Sequence, residues 1–249
     1  DVRVLCATNR DLRALIRTPS VTGSEEAVQS LVAELAADVG LAVERVETDP
    51  SAIAADPGYP GAEIPRGALP VVIGRTGRPV GRRLLLVAHV DVVPINDPGA
   101  WTVPPWEGLV RDGHLYGRGA CDMKGGLAAI LGAFRAVRDA GIELSHGEAW
   151  LVAVPSEEDG GQGMLAAIRA GATGDGAIIT EPSGLELVVA HAGALTFRLT
   201  VPGRAAHASQ RREGVSALDK LMVIVAALER DEERRNAAET HPLMTPIGL

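Results

Sequence analysis

The chain reads as an α/β fold: a mostly parallel sheet sandwiched by helices, followed by a partial α+β domain. Three observations predict this. RLLLVAHV (83–90) is apolar almost throughout, as in a strand covered on both faces. AWLVAV (149–154) and AIIT (177–180) repeat that character, with a helical stripe of Leu127, Ile130, Leu131, Phe134 and Val137 between 90 and 149. From Leu195 to Val201 the pattern switches to strict alternation, which suits a sheet with one wet face.

Each element has its own signal. Thr22 and Glu25 have capping-box spacing, and Val28, Leu31, Val32, Leu35 and Val39 recur at helical spacing, so a helix is expected over 24–39. Residues 49–69, rich in Pro, Ala and Gly without a clear period, are expected to form a long surface loop. Asp112-Gly113 between short apolar-flanked pieces predicts a hairpin over 110–115. Val215, Leu218, Leu221, Met222, Val225 and Leu228 predict a helix over roughly 213–230. The expected organisation is one large domain over 1–191 and an incomplete second domain over 192–249.

At 249 residues and 46% apolar content the chain can bury a core without staples. Cys6 and Cys121 stand in separate settings and support neither a disulfide framework nor a cysteine zinc site, so a reducing, cytoplasmic location is expected. A net charge of −8 with 3% aromatics argues against a nucleic-acid partner, and no apolar stretch has the length of a membrane span. A start without Met leaves a trimmed leader open.

Polar residues that bind or serve metal ions fall repeatedly where an apolar run meets a turn. His89 and Asp91 are two apart at a strand end, so their side chains share a direction; one can bind metal while the other accepts the remaining ring N–H. Asp122 lies among the small residues of GRGACDMKGG, where it could bridge two ions or cap the following helix. Glu157 and Glu158 are adjacent and point opposite ways on an extended backbone, which divides the work between a ligand and a proton carrier. Glu181 is held extended by Pro182. Each motif alone also reads as a turn, a cap or a solvated acidic loop; their recurrence at strand ends is what favours a metal site. The glycines of 117–126 form neither G-x-G-x-x-G nor a Walker loop, which weighs against nucleotide binding.

HVDVVP, GRGACDMKGG, SEEDGG, TEP and GRAAHAS, in this order, resemble the zinc-dependent amidohydrolase and exopeptidase family that includes acetylornithine deacetylase, succinyl-diaminopimelate desuccinylase, aminoacylase and glutamate carboxypeptidase. The resemblance runs from about residue 10 to the end. It implies two Zn2+ ions per subunit, with Co2+ or Mn2+ as substitutes. His89, Asp122 and Glu181 would hold one ion, and Asp122 would bridge to a second held by Glu158. Asp91 would orient His89, and Glu157 would be the general base. His207 would reach the substrate carbonyl from a lid domain that also dimerises. Asp122-Met123 is the expected cis peptide. The implied substrate is an N-acyl amino acid or short peptide, cleaved at its amide; the alternative is a catalytically silent metal-binding protein. The family's further histidine ligand has no counterpart before Leu249, so the chain as given is expected to bind one metal better than two, with little turnover. His114, His146, His191 and His241 match no ligand motif and are expected to be structural or exposed.

Overall fold

The computed structural model describes residues 9–191, 193, 197–238, 242 and 243. They separate into two compact units, the first ending at Leu185 and the second starting at Glu186.

In the first unit, helices α1 (Asn9–Arg17) and α2 (Glu26–Asp38) precede strand β1 (Ala42–Thr48), a short α3 (Pro50–Ala54), β2 (Leu69–Gly77) and β3 (Arg82–His89). The hairpin β4 (Leu109–Arg111) and β5 (His114–Tyr116), helix α4 (Lys124–Asp139), β6 (Gly147–Val154), α5 (Gln162–Arg169) and β7 (Gly176–Ile179) follow. The main sheet has the order β1-β2-β6-β3-β7. The β6, β3 and β7 strands run parallel, with His89 opposite Val154 and Val87 opposite Ile179, whereas β1 and β2 join antiparallel. The expected α/β sandwich is therefore present around a sheet of mixed pairing.

Both faces are covered. On one, Leu15 and Ile16 of α1, Val28 and Val32 of α2, and Leu127 and Leu131 of α4 pack on Val72, Ala88, Leu151 and Ala153. On the other, Ile53 of α3 and Ala166 and Ala167 of α5 meet Val71, Ile73, Leu85, Val87 and Val152. Alternate strand residues thus serve opposite layers. The β4–β5 turn pairs Arg111 with His114 and has φ of 53° at Asp112 and 76° at Gly113, the double positive φ expected for an Asp-Gly hairpin.

Several expectations need correction. The capping box at α2 does not form: Glu25 makes no side-chain cap bond, and Thr22 Oγ1 instead donates to Asp91 Oδ2 at 3.0 Å. A partner 69 residues away outcompetes the local one. The 49–69 segment is not a uniform surface loop, because Asp49 caps α3 through the Ser51 amide and Ile53 is buried.

In the second unit, Phe197–Thr200 are not in a strand, and Leu195 and Thr196 lie outside the described residues. An alternating sequence becomes a strand only with a ladder partner, and among the described residues of this unit the pairing is one bridge between Arg204 and Val215. The helix expected near 213–230 is α6 (Ala217–Ala238), preceded by a 3-10 turn over Ala208–Glu213.

Candidate metal centre

Parallel neighbours β3, β6 and β7 end at the same edge of the sheet, the usual crevice for ligands in α/β folds. His89 closes β3; Glu157 and Glu158 stand in the turn after β6; Glu181 follows β7 by two residues. Asp122 reaches this edge from the turn before α4, whose first residue is Lys124. The Asp122-Met123 peptide is cis, as expected.

Four of these residues surround His89 or its neighbours. His89 Nε2 lies 3.0 Å from Asp122 Oδ1 and 3.9 Å from both Glu157 Oε2 and Glu181 Oε1. Ligand atoms of His89, Asp122 and Glu158 lie within 4.8 Å of one another. His207 belongs to the second unit, is exposed, and bonds through Nδ1 to Ser209 Oγ at 2.8 Å. His114, His146 and His191 are exposed, and His241 lies outside the described residues.

The orientation of His89 comes from Asp91, through its main chain. His89 Nδ1 donates to the Asp91 carbonyl oxygen at 2.9 Å, while the Asp91 Oδ1 is 3.5 Å away. That hydrogen bond fixes the proton on Nδ1 and turns Nε2 toward the acids. The fully buried Asp91 carboxylate has other partners: it accepts from the Glu157 amide at 3.1 Å, the Glu158 amide at 3.2 Å, and Thr22 Oγ1. Asp91 thus ties the imidazole to the turn that carries both glutamates.

Crowding shifts the acids. Burial raises Glu158 to about 7, with the Asp122 charge next in effect. Burial also raises Glu157 and Glu181, opposed by the His89 charge and helped by neighbouring carboxylates. His89 stands at about 9: burial pulls it down, but the Asp91, Glu181 and Glu157 carboxylates more than compensate.

This donor set fits a divalent cation. With Nδ1 bonded to the Asp91 carbonyl, Nε2 faces Asp122 Oδ1 at 3.0 Å; the proton that His89 holds with raised affinity lies between them, and a cation bound there would take its place. One imidazole with several carboxylates is the ligand chemistry of zinc, cobalt and manganese.

The sequence profile of Peptidase family M20/M25/M40 matches residues 85–243, well over half of the chain. The chain belongs to that family. Membership implies a metal cofactor. Among its relatives, the succinyl-diaminopimelate desuccinylase of Methylobacterium radiotolerans is 33% identical over 234 residues, covering 90% of this chain and 56% of that protein. The enzyme of the same name from Gluconacetobacter diazotrophicus is 32% identical over 225 residues, covering 87% and 54%. The chain therefore spans about half the length of these relatives. Two solved structures share the fold: a tripeptidase from Staphylococcus aureus (TM-score 0.56, 22% identity, 88% of this chain and 55% of that one) and an M20 family metallo-carboxypeptidase from Sulfolobus solfataricus (0.55, 20%, 71% and 37%).

Three neighbours of this site have roles that the sequence alone does not announce. Thr22 reads as a helix cap but serves Asp91. Met123 Sδ accepts from the His89 amide at 3.1 Å. Lys124 is fully buried, and its Nζ donates to Leu15 O at 2.9 Å and Thr18 O at 3.0 Å. Lys124 does stand in the quoted GRGACDMKGG run, and a lysine beside two glycines at a helix start was the available signal.

Proposed function

We propose that this protein hydrolyses an amide bond in N-acyl amino acids or short peptides with a divalent metal, zinc by preference. The observation that carries the reading is the convergence of His89, Asp122 and Glu158, drawn from three separate strand ends and turns, within 4.8 Å of one another. A bound cation supplies Lewis acidity, polarising the scissile carbonyl and acidifying the attacking water. His89, Asp122 and Glu181 hold one ion, and Asp122 with Glu158 a second. Asp91 acts by holding His89 and the glutamate turn in register.

Glu157 is the proton carrier. It is within 3.9 Å of His89, and burial raises its affinity for protons above that of a free glutamate. It takes a proton from the water as the C–O bond forms and returns it to the leaving nitrogen as the C–N bond breaks, giving a carboxylate and an amine. His207 contacts the substrate carbonyl from the second domain. That domain, expected from residue 192 on, serves as lid and dimer contact. A cytoplasmic location is the reading that two cysteines in separate settings favour, with Cys121 free and exposed, and no described helix is long and apolar enough to cross a membrane. The desuccinylase relatives put N-succinyl amino acids first among substrates to test, before N-acetyl amino acids and dipeptides.

The test uses the longest form that the gene encodes. Amide hydrolysis that depends on added Zn2+ and is abolished by Glu157→Gln, with metal content unchanged, is the expected result. Metal binding without hydrolysis of any of the three substrate classes would favour the silent metal-binding alternative. Unaltered turnover in Glu157→Gln would remove the proton-carrier assignment.

A further inference from the structure

The Pro- and Gly-rich segment before β2 contains a buried cation. Arg66 is 2% exposed in its side chain and joins two carboxylates, each 3% exposed: Nη1 is 2.9 Å from Glu25 Oε1, and Nη2 is 3.0 Å from Asp159 Oδ1. Glu25 stands at the start of α2 and also accepts from the Gly23 amide at 2.8 Å. Asp159 belongs to the same tight turn as Glu157 and Glu158.

That turn is fastened from behind at several points. Asp159 Oδ2 accepts from the Ile64 amide at 3.1 Å, its main-chain oxygen accepts from the Glu63 amide at 3.3 Å, and its Oδ1 accepts from Ser156 Oγ. Ser156 is fully buried with φ of 65°, a conformation uncommon for serine and one that its surroundings must hold in place. A methyl on Gly160 would lie 2.5 Å from Gly61 O, so the 61–66 strap is seated directly on the turn. Asp91 grips the amides of Glu157 and Glu158, and Arg66 grips the side chain of the next residue, Asp159.

We propose that Arg66 is a positioning residue for the metal centre: by clamping Asp159 to Glu25 it fixes the turn that aims Glu158 at the cation and Glu157 at the water. The inference rests on the metal role proposed for Glu158. A guanidinium suits the task because its separate nitrogens reach two carboxylates in fixed directions, which an ammonium cannot do. Arg66 touches none of the proposed ligands, so its effect passes through the backbone of the turn.

Co2+ titration of the 249-residue chain, followed by visible absorption and referred to the folded fraction by circular dichroism, tests the clamp. Arg66→Met should weaken Co2+ binding about tenfold, and Arg66→Lys should recover part of the loss. Arg66→Met/Glu25→Gln, which leaves one fewer uncompensated buried carboxylate, should remain folded and bind as weakly as Arg66→Met. Arg169→Met is the control: it removes a more exposed ion pair, to Asp56 in the same segment, that involves no residue of the turn, and should bind as the parent does. Parental Co2+ affinity and spectrum in Arg66→Lys and in the double variant, with only thermal stability lowered, would overturn the inference while leaving the metal reading intact. A parent chain that binds no Co2+ would overturn both.

Discussion

Asp91 holds Glu157 by its backbone: Oδ1 lies 3.1 Å from the Glu157 amide nitrogen, with no solvent access to the carboxylate. The adjacent Glu158 amide and Thr22 Oγ1 take the other oxygen, and the Asp91 carbonyl takes the His89 proton. An asparagine can supply one oxygen but must turn its NH2 group toward one of these donors. Asp91→Asn should therefore weaken metal binding about 10- to 100-fold, the range seen when groups behind metal ligands are altered. Competition titration against a chromophoric chelator measures this, and parental affinity in Asp91→Asn would refute the role.

Glu158 gives the site a pH signature. Its folded pKa of about 7 lies above the ordinary 4.5, so between these values the metal-free folded chain binds more proton than the unfolded chain. Stability from this group is then fully present below pH 4.5 and is lost as pH rises through 7. The thermal midpoint of the parent minus that of Glu158→Gln, both in chelator, should decline across this window; subtraction cancels the other titrating groups. Metal affinity should move the opposite way, rising with pH, because a ligand carboxylate must lose its proton. A flat difference curve would contradict the assignment.

The strand ends were legible because β3, β6 and β7 are apolar runs that stop abruptly at polar residues, and parallel strands bring such stops to one edge. The Asp-Gly hairpin was legible in its own residues, and the cis peptide only through the family resemblance. Elements stabilised by distant partners were not. β1, AVERVET, is an edge strand whose apolar pattern is interrupted by Glu44, Arg45 and Glu47, and β2 is broken in pattern by Pro70 and Gly74. Gly74 is there for packing, since a Cβ would lie 2.7 Å from Leu41 Cδ1. Arg66 lies within the 49–69 segment whose composition reads as a loop, and burial by ion pairing leaves no periodicity that would mark it. Asp91 was read as orienting His89 with its carboxylate, whereas its carbonyl does so and the carboxylate holds the glutamate turn.

Gly126 lets α4 approach the strand end that carries Glu181. A Cβ there would stand 2.3 Å from the main-chain oxygen of Thr180, 2.5 Å from its Oγ1 and 2.8 Å from its Cβ. Gly126→Ala must push the helix and the 180–181 segment apart, at a cost of about 1–3 kcal/mol typical of overpacking. Denaturant unfolding should show that loss, and metal affinity should fall with it because Glu181 moves. Gly113→Ala, in the open hairpin turn with nothing within 4 Å, should lower stability through its positive φ and leave metal affinity unchanged. Equal metal affinity in both variants would argue against the coupling.

Lys124 joins the metal turn to the end of α1. The helix stops at Arg17, and its last carbonyls lack partners within the helix. Lys124 Nζ fills that need at Leu15 O and Thr18 O, and a cation also suits the negative end of a helix. Burial lowers the ammonium to about 7 while the Asp91 charge pulls it upward. Lys124→Met keeps the length of the side chain but takes the lysine donor from Thr18 O and leaves Leu15 O with only the Thr18 amide at 3.3 Å. Unfolding should show a loss of about 1–3 kcal/mol, the cost of one buried carbonyl left short of its donor. Lys124→Arg should not rescue it, because a planar guanidinium is too large for a pocket with no solvent access. Stability within about 0.5 kcal/mol of the parent, the range of ordinary surface substitutions, would show that the α1 carbonyls do not depend on this lysine.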